Sequence, residues 1–174
     1  RLPEPPAPAP EFPLAPYPLA LDKAYRDRLF HGPDMRGIRA ISGIGEDGIV
    51  VSAAAALPPK NWMRRPWRDS WLGDPTALDA AFQALILWTW ERRGAACLPS
   101  FAASYRQYAS RWPQDGCLVR ARVHKSVEGL AVSDLDFLDR SGRLIARLAG
   151  YESTVDKSLA EAFRKNIIVA AVEG

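Results

Sequence analysis

Residues 74–93 constrain the fold more than any other stretch of this chain. Asp74 is suited to cap a helix, and Pro75 suits the first helical position, where a missing N–H costs nothing. Apolar residues then run almost unbroken through Ala77, Leu78, Ala80, Ala81, Phe82, Leu85, Ile86, Leu87, Trp88 and Trp90, and Gly94 stands as a C-cap. A helix apolar on nearly every side is expected to be buried on most of its circumference. Asp79 is the one charge inside the run, and Gln83 lies one turn later on the same face. A buried carboxylate is costly unless it is hydrogen-bonded or kept neutral. On spacing alone, Asp79 either faces solvent on a narrow polar stripe, caps a neighbouring backbone group, or carries chemistry.

The sequence on either side of the helix reads as strands. From Gly37 to Ala56 the alternation of Ile38, Ala40, Ser42 and Ile44 predicts a hairpin turning at Gly45–Gly48 and returning through Ile49, Val50 and Val51. Residues 57–73 combine Trp62, Trp67 and Trp71 with four basic side chains, and read as an ordered loop packed by its indoles, with a ligand lip as the alternative. After the helix the period switches to two. Residues 97–109 form one strand, and three more are centred on Val119–Val123, Ser133–Phe137 and Leu144–Leu148. Turns fall at 127–129 and 139–142. A first turn centred on Glu128 sets Arg122 opposite Asp134 and Arg120 opposite Asp136, a register that favourable cross-strand charge pairs support. His124 belongs to that polar face and reads as structural. A short helix is expected from Asp156 to about Asn166, followed by an apolar tail over 167–172. The pattern amounts to an α+β domain with one buried helix.

Residues 1–20 hold eight of the fifteen prolines, a density that excludes helix and sheet and favours an extended interdomain linker, with Phe12, Leu14 and Tyr17 able to lie along the domain. The domain is therefore expected over residues 21–174, and the chain reads as a segment of something larger. Cys97 and Cys117 fit no metal spacing and no disulfide framework, so free thiols in a reducing cytoplasm are expected. No apolar run reaches membrane-spanning length. The net charge of +3 is mild and its charges are interspersed, which argues against a nucleic-acid partner.

Three segments carry a resemblance. Leu78-Asp79-Ala80-Ala81-Phe82-Gln83, following Asp74-Pro75, resembles the aspartate motif of dehydratase domains in modular polyketide and polyunsaturated fatty acid synthases. Leu29-Phe30-His31-Gly32-Pro33-Asp34-Met35 resembles the aromatic/His-Gly-Pro-x-Phe segment of the same domains, with Met35 where an aromatic is commoner. Asp136 to Leu148 resembles their closing hairpin. The matches fall in family order over roughly residues 24–155.

The resemblance implies a hotdog fold, an antiparallel sheet wrapped around one long central helix. It also implies a chemistry: a 3-hydroxyacyl thioester, carried on the phosphopantetheine of an acyl carrier protein, loses water. A histidine takes the α-proton, and an aspartate on the opposing hotdog's helix protonates or orients the departing hydroxyl. Such an acid must be kept protonated, which apolar surroundings favour by desolvation. Asp79 matches that aspartate, and Gln83 the polar residue that would hold it; His31, Gly32, Pro33, Met35 and Phe82 would line the substrate pocket. The family's His-x-x-x-Gly-x-x-x-x-Pro motif is missing, because Met35 follows His31 and Glu128 follows His124 at the glycine position. The chain therefore resembles the second, aspartate-bearing half of a double hotdog, or a stand-alone dehydratase-like hotdog, and is half an active site by itself. Two other readings stay open: a non-catalytic acyl-binding or structural domain, and a hotdog thioesterase whose helix carboxylate activates water. No metal and no cofactor is implied beyond the carrier's arm. Implied partners are an acyl carrier protein, whose acidity suits a slightly basic surface, and neighbouring synthase domains, a second hotdog or a second copy.

Overall fold

The computed structural model describes residues 2–165. Its elements are α1 (Leu21–Asp27), β1 (Ile38–Gly45), β2 (Gly48–Ala53), α2 (Pro75–Arg93), β3 (Ala96–Gln107), β4 (Cys117–Val127), β5 (Leu130–Leu138), β6 (Leu144–Asp156) and α3 (Ser158–Lys165), with single 3-10 turns at Pro33–Met35 and Pro59–Asn61. The apolar tail over 167–172 lies outside the described residues.

Helix α2 begins and ends where its residues direct. The Asp74 carboxylate accepts from Ala77 N, Pro75 opens the helix, and Gly94 closes it at φ 61°, donating its N–H to Trp90 O. A left-handed residue there favours glycine, which has no Cβ to clash. Burial surrounds the helix: Ala77, Ala80, Ala81, Ala84, Leu85, Ile86, Leu87 and Trp88 are all buried.

The six strands form one antiparallel sheet in the order β1-β2-β4-β5-β6-β3. Helix α2 packs against β1 and β3, the two ends of that order, as well as β2 and β4. One helix reaches both ends only if the sheet curls around it. Leu85 and Leu87 meet Ile49, Val51, Val119, Leu135 and Phe137 in this core, all fully buried. Each side chain of this size contributes about 1.5–3 kcal/mol on burial. At Gly37, just before β1, an added Cβ would lie 2.8 Å from Thr76 O, so the absence of a side chain lets the strand start close to the helix.

The expected β4–β5 register is present, with Arg122 opposite Asp134 and Arg120 opposite Asp136. The side chains pair differently. Asp136, 1% exposed, takes Arg147 of β6, which donates Nε to Oδ1 and Nη2 to Oδ2, the latter at 2.7 Å. Arg120 instead donates to Ala9 O and to Glu11, while His124 lies 2.9 Å from the Asp134 carboxylate. Asp136 has an arginine across from it on each side, and the bidentate partner prevails.

The proline-rich lead forms no helix over residues 2–20 and lies along the domain, as its Phe12 and Tyr17 allow. Ala9 N donates to Asp136, Phe12 is buried, Ala15 and Ile44 exchange backbone hydrogen bonds at the outer edge of β1, and the Tyr17 hydroxyl donates to Glu91. The reading of 57–73 as a loop packed by its indoles needs correction: Trp67 is 100% exposed and Trp62 41%, and only Trp71 of the three is half-buried, meeting Trp62 edge-on. That loop does interleave cations with exposed aromatics.

Candidate active site

His31 and the 3-10 turn at Pro33–Met35 come from the crossing between α1 and β1, and Asp79, Phe82 and Gln83 from α2. Gln83 is fully buried and ties these elements together. Its Nε2 donates to Asp79 Oδ2 at 2.6 Å and to Met35 O at 2.7 Å, and its Oε1 accepts from the Tyr25 hydroxyl at 2.7 Å. The Tyr25 oxygen in turn accepts from Ile38 N at 2.8 Å. Direction is therefore set along the whole chain of bonds. The Ile38 N–H can only donate, so the Tyr25 proton points to Gln83, and the Gln83 amide turns its two hydrogens to Met35 O and Asp79.

Asp79 Oδ2 accepts from Gln83, so a protonated Asp79 carboxyl group carries its hydrogen on Oδ1. Oδ1 has no hydrogen-bond partner among the described residues. The Asp79 side chain is 26% exposed, so it is not sealed in the core.

His31 stands beside the carboxylate, Nε2 to Oδ2 at 3.5 Å, with its side chain 8% exposed. Its ring stacks on Phe30 at 4.3 Å, and Phe30 packs in turn on Phe163. Nδ1 is buried without a hydrogen-bond partner. A bare lone pair is cheaper to bury than an unpaired N–H, so the neutral ring with hydrogen on Nε2, facing Asp79, fits the site. Burial pushes the His31 pKa below its ordinary 6.5, while the Asp79 carboxylate pulls the other way. Burial likewise pushes the Tyr25 phenol up to about 12, which keeps it a donor.

The site residues expected from sequence are distributed as follows. His31, Asp79, Gln83 and the backbone carbonyl of Met35 converge. Phe82 stacks on Tyr151 at 5.1 Å, a turn away from Gln83's partners, and the Tyr151 hydroxyl is pushed upward chiefly by burial, with Cys97 and Asp79 adding to it. Gly32 and Pro33 are exposed and act through the backbone, since Gly32 O accepts from Met35 N. A Cβ on Gly32 would meet nothing within 4 Å. Sequence reasoning passed over Tyr25. Its signal was slight: a tyrosine on the apolar side of a short helix, where a buried hydroxyl needs a partner. Among the described residues no group of three or more His, Cys, Asp or Glu side chains is placed to hold a metal.

A family model described as "Polyketide synthase dehydratase N-terminal domain" matches residues 2–161. Among solved structures, the dehydratase domain of RzxB from Pseudomonas fluorescens is similar with a TM-score of 0.62 and 20% identity, covering 78% of this chain and 48% of that one. A trans-AT PKS dehydratase domain from Brevibacillus brevis matches with a TM-score of 0.65 and 17% identity over 89% of this chain and 55% of its own. The dehydratase domain from the CurF module of the curacin polyketide synthase matches with a TM-score of 0.60 and 17% identity over 79% and 47%. At such identities the shared property is the fold, a hotdog, and the chain spans about half the length of each of these structures. No curated protein matches.

Proposed function

Since the chain belongs to the polyketide synthase dehydratase family, we propose that it supplies the acid half of a dehydratase site acting on 3-hydroxyacyl thioesters. The substrate arrives on the phosphopantetheine arm of an acyl carrier protein within a polyketide or polyunsaturated fatty acid synthase. A histidine from a second hotdog removes the α-proton. Asp79 gives its Oδ1 proton to the 3-hydroxyl group, which leaves as water, and the product is the 2,3-unsaturated thioester. The carboxylate then recovers a proton for the next turnover.

The observation that carries this reading is the Gln83 clamp. It holds Asp79 on a buried helix, makes Oδ2 the acceptor and leaves Oδ1 for the substrate. The matching family description names an N-terminal domain. The side chains present here, a helix aspartate closed by glutamine and a His-Gly-Pro turn, resemble the aspartate-bearing second hotdog. We therefore look for the partner histidine outside residues 1–174. The exposed outer edge of β3, which pairs only with β6 among the described residues, offers a place for a second hotdog's sheet to continue this one.

Asp79→Asn in the intact synthase tests the reading. The amide keeps the size of the side chain and an acceptor for Gln83, but has no proton to give. Formation of unsaturated product should fall by about 10²–10⁴-fold, the usual worth of a positioned acid. Unsaturated product at normal yield would make the domain a structural or acyl-binding one. Thioester hydrolysis by the chain alone would make it a thioesterase.

A further inference from the structure

The loop between β2 and α2 is the most exposed apolar segment described, and it is also basic. Trp67 is 100% exposed, Leu72 67%, Leu57 60% and Met63 43%. Lys60, Arg64, Arg65 and Arg68 stand exposed among them, and none has an acidic partner among the described residues. Asp69 is the only acid in residues 57–73.

This segment is built rather than loose. Trp71 Nε1 donates to Leu57 O at 2.7 Å, Met63 N to Pro59 O at 2.9 Å, and Ala56 N to Asp74 Oδ2 at 2.9 Å. Asp74 caps α2 with its other oxygen, so the loop is fastened to the start of the helix that carries Asp79. Beside it opens a cleft of about 600 Å³, lined by Leu57, Pro58, Trp71 and Trp112, with Arg39 and Arg111 balanced there by Asp69 and Asp74. His31 and Asp79 do not line it.

We propose that this loop and cleft form the docking surface for an acidic protein domain, the carrier protein, with the cleft receiving an apolar side chain of the partner. The identity of the partner rests on the function proposed above; the surface itself does not. Exposed tryptophan, methionine and arginine on a pre-ordered segment are what protein interfaces enrich. Unpaired cations around an apolar centre attract a partner of opposite charge and speed its arrival. The concave cleft favours a protein over the other anionic candidates. A lipid surface is broad and yielding and has no single side chain to insert, and a nucleic-acid strand needs a row of stacking rings along a groove.

The triple substitution Arg64→Glu, Arg65→Glu and Arg68→Glu tests the proposal. All three side chains are exposed, so the fold should be retained, and an unchanged melting curve checks that. The probe is the purified holo carrier domain of the same synthase, titrated against the chain while tryptophan fluorescence is followed at low and high salt. Wild type should bind with a Trp67-dependent change and weaken with salt. The triple variant should bind at least about tenfold more weakly and lose most of the salt dependence. Equal binding by both would overturn the proposal. So would preferential binding of a duplex DNA oligonucleotide or of phosphatidylserine vesicles at physiological salt. Asp79→Asn should bind the carrier normally, so loss of chemistry and loss of docking are read separately.

Discussion

Replacing Tyr25 with Phe removes one oxygen and little else, and that oxygen sits at the centre of the candidate site. Tyr25 is 4% exposed; its hydroxyl accepts from Ile38 N at 2.8 Å and donates to Gln83 Oε1 at 2.7 Å. The variant leaves a buried N–H and a buried amide oxygen without partners, each costing about 1–2 kcal/mol, or roughly 2–4 kcal/mol together. In a domain of this length 1 kcal/mol moves the melting temperature by about 2–4 °C, so a fall of roughly 5–15 °C is expected by calorimetry or circular dichroism. Turnover in the synthase should fall as well. Gln83 keeps its bonds to Met35 O and Asp79 but loses the one that fixes its oxygen, so Asp79 is held less rigidly. Tyr17→Phe is the control, because that hydroxyl makes only a 3.2 Å bond to Glu91, which also faces Arg28. An unchanged melting temperature for Tyr25→Phe, or equal losses for the two variants, would refute the reasoning.

Acid should weaken the fold through His31. Burial lowers its folded-state pKa below the ordinary 6.5, so its contribution is complete above that value and is lost as the pH falls from there through the folded value. His31→Phe should flatten the decline in melting temperature between neutral and mildly acidic pH; an identical decline in the variant would assign the acid sensitivity to other groups. Arg147→Met should cost up to about 3–5 kcal/mol in chemical denaturation, because it takes the bidentate cation from the buried Asp136 carboxylate and leaves it the Ala9 N–H, and Asp136→Asn in the same background should recover part of the loss. If the second substitution recovers nothing, that account of the pair is wrong.

What the sequence revealed depended on how far apart the interacting residues lie. Helix α2 was legible to the residue because its signals are local: Asp74, Pro75 and Gly94 are contiguous with the run they bound. The β4–β5 register was legible too, although the charges that suggested it are paired elsewhere. Arg120 does lie opposite Asp136, but Arg147, across the other edge of β5, takes the carboxylate. Tyr25 could not be paired with Gln83 by any short spacing, since 58 positions separate them. The indoles of 57–73 were read as filling because tryptophan is usually covered, whereas the arginines between them were the better guide to solvent. In the lead, the apolar Phe12 and Tyr17 were legible as residues able to lie along the domain, whereas nothing local marked Ala15 as the one that bridges Ile44.

The fastening of Ala15 across Ile44 has a consequence for assembly. It covers one end of the β1 margin with the chain's own backbone, while the other margin, β3, meets no further strand among the described residues. A bare strand edge is a template for further pairing, and the lead blocks it only where it crosses the turn end of β1. The chain thus uses a stretch of its own backbone to guard one end of one margin and leaves β3 as the longer open edge.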